Sequence, residues 1–82
     1  MTKETLIAIT EERAHQKLRW GDDPASICEY ATYIRCYADE LTRIATHTTD
    51  KKMALDTIRK IAALGIACME ENGVVFREKG TL

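Results

Sequence analysis

Carboxylates in stretches with helical patterning are the side chains here with the charge to hold a divalent metal. They are Glu11 and Glu12, then Glu29, Asp39 and Glu40, then Asp56, Glu70 and Glu71. A carboxylate metal site in a helical bundle needs acids at i and i+3 or i+4 on facing helices, projecting into one pocket. That spacing is missing. Glu29 and Glu40 are about three turns apart, and Asp56 has Met53 and Lys60 at the helically adjacent positions. Nucleophilic chemistry has less support. His15 and His47 stand in no motif with a cysteine or serine, and no glycine-rich phosphate loop is present. Cys28, Cys36 and Cys68 are odd in number and lack CxxC spacing, so zinc and a disulfide framework are not expected. They are read as reduced cysteines packed as small apolar groups.

An aromatic and basic set offers binding rather than bond-breaking. Tyr30, Tyr33 and Tyr37 recur at helical spacing beside Arg35, with Arg13, Arg19 and Trp20 earlier in the chain. Aromatic faces stack on nucleobases, and guanidinium groups hold phosphates bidentately. The same tyrosines equally fit core and interface positions whose hydroxyls reach water.

Helices must position these groups. Glycine and proline gather at Gly21-Asp22-Asp23-Pro24 and Asn72-Gly73, and the intervening pattern is helical. The first helix is expected over about residues 3–19, with Thr2 as N-cap. Its narrow apolar arc is Leu6, Ile7 and Ile9, then Ala14 and Leu18, with Arg13 close to the same side. The second is expected over 25–45, opening after Pro24, with Ile27, Tyr30, Ala31, Ile34, Ala38, Leu41 and Ala45 as its buried stripe. The third is expected over 51–71, closed by Asn72-Gly73. The tail from Val74 carries Val75 and Phe76, then Arg77-Glu78-Lys79-Gly80, and is expected to be partly ordered before it frays. Ile61 to Met69 is apolar on every side, and a helix apolar all round is buried all round. Two partners cannot enclose it, so a second copy is expected on the remaining face, a homo-oligomer with Ala62, Gly65, Ile66 and Met69 at the interface.

The chain has 82 residues, 30% of them charged, and a net charge of −1. This fits a single all-α domain over residues 1–82 that completes its bundle by oligomerising. The charge balance argues against general nucleic-acid binding. No apolar run approaches the roughly 20 residues of a membrane span, and no secretion signal is evident, so a cytoplasmic location is expected.

Glu11-Glu12-Arg13, Gln16 and Arg19-Trp20-Gly21 together resemble the EERxxQxx(K/R)WG opening of small phage and prophage MazG-like proteins, relatives of the all-α nucleoside triphosphate pyrophosphohydrolases. Arg59 to Glu70 is similar to their last apolar helix, a basic turn leading into an alanine-rich run that ends in Glu. The resemblance implies a MazG-like helical bundle, a nucleotide-sized pocket and a phage or prophage origin in a bacterial cytoplasm. In that family an ExxE pair and an ExxD pair bind magnesium. Here the counterparts read Cys36-Tyr37-Ala38-Asp39-Glu40 and Met53-Ala54-Leu55-Asp56. Lost ligands remove the charge that holds the metal and activates water. The expectation is therefore a non-catalytic protein without a cofactor, binding a nucleotide or nucleotide-derived signal through Arg13, Arg19, Trp20 and Tyr33. Small phage-encoded helical oligomers that sequester cyclic-nucleotide defence signals offer an analogy for countering host defence. The alternatives are a residual magnesium-dependent pyrophosphohydrolase using Glu11, Glu12, Glu40 and Asp56, and an inhibitor that docks on a host protein.

Overall fold

The computed structural model describes residues 1–78, and all its regular structure is helical: α1 (Lys3–Trp20), α2 (Ile27–His47) and α3 (Lys51–Asn72). Each helix starts on a side-chain cap. The Thr2 hydroxyl accepts from the Thr5 N–H, and Asp50 accepts from the Lys52 and Met53 N–H groups. The second helix opens two residues later than expected. Ser26 and Glu29 form a reciprocal capping box, which satisfies two end donors at once and leaves Pro24 in the connector. Gly21 and Gly73 close α1 and α3 with positive φ, 84° and 107°, a region that costs glycine least. The expected fraying at Lys79-Gly80 lies outside the described residues.

The third helix is the axis of the fold. Both α1 and α2 pack along α3, but their backbones do not approach each other. Against α2 the contact is apolar. Tyr30, Leu64 and Ala67 form its buried centre, with Ala25, Ile34, Tyr37 and Cys68 packed around them. The inward face of α2 is Tyr30, Ile34, Tyr37, Leu41 and Ile44, alternating spacings of four and three. The expected stripe is thus partly displaced: Ile27, Ala31, Ala38 and Ala45 are exposed, because α3 alone lies against α2.

Against α1 the contact is polar. Glu12 and Gln16 are the buried residues of that helix, whereas Leu6 and Ile7 are exposed and Leu18 is 87% exposed. The expected apolar arc is therefore corrected, with Ile9 its one partly buried large member. The cause is the facing surface, where Arg59 holds Glu12 and the Lys60 carbonyl accepts from Gln16. The cysteines are free, but Cys28 and Cys36 are exposed and only Cys68 is partly buried, so packing as core groups fails for two of them.

The α3 helix is not buried all round within one protomer. Thr57, Ala63, Leu64 and Ala67 are covered. Leu55, Ile58 and Met69 are exposed, and Ala62, Gly65 and Ile66 are partly so. These six fall on one side by helical spacing.

Candidate functional site

Three residues at i, i+3 and i+7 on α1, Arg13, Gln16 and Trp20, look into a cleft between the end of α1, the 21–25 connector, α2 and the end of α3. The cleft has a volume of about 650 Å³, within the usual range for small-molecule sites. Its far wall is Tyr30 and Tyr33. The Trp20 and Tyr33 rings stack at 5.5 Å with an interplanar angle of 19°, bridging two helices whose backbones stay apart. The end of α3 holds the connector in place. The Ala25 N–H donates to Glu71 Oε2 at 2.9 Å, and Asn72 Nδ2 donates to the Ala25 carbonyl at 3.2 Å.

Arg13 lies on the inward side of α1, as its spacing implied. It reaches Glu70 Oε1 at 3.5 Å, while its Nε–H is buried without a hydrogen-bond partner among the described residues. Gln16 is 3% exposed. Its Nε2 donates to the Lys60 carbonyl at 3.3 Å, and its Oε1 is left without a donor.

A second cleft of about 530 Å³ adjoins the first and shares Gln16 and Trp20 with it. Its basic groups are His15, Arg19, Arg59 and Lys60, against Glu12 and Asp56, and Tyr37 completes the wall. Lys60 Nζ sits 5.6 Å from the Tyr37 ring centroid, a cation–π distance. The two clefts differ in charge. The first carries Asp22, Asp23, Glu29, Glu70 and Glu71 against Arg13 and Lys17, so acid prevails there, and base prevails in the second.

Of the expected ligand contacts, Arg13, Trp20 and Tyr33 thus share the first cleft, and Arg19 joins Trp20 in the second. Gln16 was visible in the opening motif but carried no expected role. Its signal was its position between Arg13 and Trp20 on one helix face. The pairings of Arg59 with Glu12, of Glu70 with Arg13 and of Glu71 with the Ala25 N–H had no local signal, because those partners are distant in sequence.

Two of the four acids of the enzymatic alternative, Glu12 and Asp56, converge on an arginine. Arg59 donates Nε–H to Glu12 Oε1 at 2.8 Å and Nη2–H to Asp56 Oδ1. Lys60 adds a 3.4 Å ion pair to Asp56. The hydrogen bond from Arg59 is the main reason the Asp56 carboxyl is held below its ordinary range. Glu40 faces a more open third cleft with Ile44, Met53, Leu55 and Asp56, and Glu11 is exposed. Among the described residues no three His, Cys, Asp or Glu side chains are grouped to hold a metal, and no helix is long and apolar enough to cross a membrane.

Tyr30 and Glu71 couple the core to the first cleft. Burial, and next the hydrogen bond to Glu71, raise the Tyr30 hydroxyl from 10.0 to about 12. Glu71 is held below its ordinary range by the Tyr30 hydroxyl and then the Ala25 N–H. The fold therefore favours neutral Tyr30. Its contribution is complete below the unfolded value and is lost as pH rises from 10.0 toward about 12. Glu71 has the opposite sign. Its contribution is present above the unfolded carboxylate range and is lost as pH falls through the depressed folded value. In urea denaturation across pH, the alkaline loss is expected to shrink in Tyr30→Phe. An unchanged alkaline limb in that variant would remove Tyr30 as its source.

The chain was compared with family models, with curated proteins and with solved structures, and nothing in any of the three matches it.

Proposed function

We propose that this protein is a non-catalytic, self-associating binder of a nucleotide-type ligand, a relative of the phage MazG-like proteins that its opening motif resembles. The observation that carries the reading is the pair of clefts of opposite charge sharing Gln16 and Trp20. A nucleotide is itself bipartite, with a flat neutral base and an anionic phosphate. The stacked Trp20 and Tyr33 edge offers the base an aromatic wall, and Arg19 and Lys60 offer the phosphate positive charge. Arg19 makes no ion pair among the described residues, so its charge is available.

The non-catalytic half rests on Arg59. Glu12 and Asp56 converge on a guanidinium, which fills the space between them with a fixed positive charge. An arginine neutralises carboxylates but cannot lower the pKa of a bound water as a divalent metal does. The self-associating half rests on the uncovered apolar side of α3, with Ala62, Gly65, Ile66 and Met69 at its centre.

Trp20 is the sole tryptophan of the chain, so its fluorescence reports on the site without labelling. Titration with nucleoside 5′-monophosphates is expected to change that emission, with affinity falling as salt rises. Tyr33→Ala is expected to weaken binding by roughly 5- to 150-fold, the range of about 1–3 kcal/mol for a stacked base. Calorimetry on Trp20→Ala should show a comparable loss. No spectral or calorimetric response up to about 1 mM, where binding free energy is only about 4 kcal/mol, would refute the ligand. Hydrolysis of nucleoside triphosphates at ~1 per second, abolished by Asp56→Ala, would refute the non-catalytic half.

A further inference from the structure

We infer that the second copy binds antiparallel, the two α3 helices pairing along their uncovered sides about a two-fold axis that passes between Ile58 and Ala62 and closes a dimer. The inference rests on the self-association proposed above and adds orientation, register and copy number to it.

The uncovered side is a seam of the kind two helices share. Lys51, Leu55, Ile58, Ala62, Gly65 and Met69 recur at alternating spacings of four and three, the period that keeps one stripe against a partner helix. Leu55, Ile58 and Met69 are exposed, and Ala62 and Gly65 are partly buried. Size changes along the seam: Leu55 and Ile58 come first, then Ala62 and Gly65. A parallel copy in register sets large against large at one level and Gly65 against the partner's Gly65 at another, which close packing disfavours. An antiparallel copy sets Ile58 against the partner's Ala62 and Leu55 against the partner's Gly65, so each large side chain meets a small one. A Cβ built on Gly65 meets nothing within 4 Å, so that hollow is open to receive a side chain. The aliphatic stem of Lys51 falls against the partner's Met69.

Charge selects the same orientation. Lys51 and Lys52 open α3 with no acid in the first turn, and Glu70 and Glu71 close it with no base in the last turn. A helix dipole favours the reverse at both ends. Lys51 and Lys52 are exposed and make no ion pair among the described residues. Glu70 keeps 64% of its side chain exposed despite its 3.5 Å pair with Arg13. An antiparallel copy brings the lysines of each helix to the partner's Glu70 and opposes the two dipoles, whereas a parallel copy sets lysine beside lysine. A two-fold interface uses the same patch on both copies, so it closes at two. Neither of the clefts that share Trp20 takes a lining residue from the seam, so both stay open in the dimer.

The test is disulfide trapping in a background whose cysteines are replaced, Cys28→Ser, Cys36→Ser and Cys68→Ala. A disulfide needs Cα atoms about 4.4–6.8 Å apart. Antiparallel pairing brings Leu55 to the partner's Gly65, and parallel pairing holds them about 15 Å apart along the axis. Leu55→Cys alone and Gly65→Cys alone are expected to stay unlinked on oxidation, and the two refolded together to give a linked dimer that reduction releases. In the native-cysteine protein, Lys51→Glu/Lys52→Glu is expected to raise the dimer dissociation constant by about fivefold or more, since exposed pairs are lost at both ends. Either single variant linking to itself, or an unchanged dissociation constant, would overturn the antiparallel arrangement and leave self-association standing. So would an oligomer in which the mixture never links. Wild-type sedimentation at more than twice the chain mass would overturn the closed pair, and a monomer at micromolar concentration would overturn self-association as well.

Discussion

Arg59→Ala is expected to destabilise the protein by about 2–4 kcal/mol. Breaking a buried ion pair typically costs about 3–5 kcal/mol. The lower range applies because the Arg59 side chain is 35% exposed while Glu12 is 9% exposed. The loss comes mainly from Glu12, which stays buried against α3 with its charge uncompensated. Asp56 keeps Lys60 as a partner and adds less. Total stability for a domain of this length is on the order of 5–10 kcal/mol, so the melting temperature should fall by roughly 10–25 °C. Thermal and urea denaturation measure this directly. The double variant Glu12→Leu/Arg59→Leu separates pairing from packing. It should recover most of the loss, since replacing a buried pair by apolar groups is often neutral or stabilising. If the double variant is as unstable as Arg59→Ala, the ion pair is not what fastens α1 to α3.

Gly65→Glu is expected to dissociate the proposed assembly while leaving each protomer folded. A Cβ built on Gly65 meets nothing within 4 Å, so the position is open within the protomer and the new side chain displaces no packed group. Replacing glycine inside a helix also relieves about 0.5–1 kcal/mol of conformational cost. The same charge in an apolar interface faces desolvation of several kcal/mol, more than a small interface can absorb. Sedimentation should show an oligomer for the wild type at micromolar concentration and a monomer for Gly65→Glu, with unchanged helical circular dichroism. Ala62→Glu, on the same side of α3, should act alike. A wild-type protein that sediments as a monomer would remove the interface, and the uncovered side of α3 would then need another occupant.

Local sequence carried much of this architecture because capping and helix termination are local chemistry. Thr2, the Gly21 stop and the Asn72-Gly73 end stand where the residues placed them. Ser26-x-x-Glu29 was equally local, but Pro24 drew the expected start of α2 forward. The apolar character of α3 was also legible, and with it the shortage of partners in one protomer. Arg13, Trp20 and Tyr33 were singled out by residue type before any geometry existed, and the fold gathers them at one cleft. Their separate partners were decided in three dimensions. Arg13 could be placed on the inward side of α1, but its partner Glu70 lies 57 residues along the chain, beyond the reach of helical spacing. The buried face of α1 was misread for the same reason. Periodicity assumes that a buried face is apolar, whereas α3 presents Arg59 and the Lys60 carbonyl at that contact and so selects Glu12 and Gln16. Sequence thus determined the helices, their ends and the residue types available for binding, because those depend on neighbours within a few positions. Tertiary structure alone decided which charges meet, which polar atoms stay unpaired, and that one tryptophan stands between an acidic and a basic cleft, because electrostatics and burial depend on distance in space.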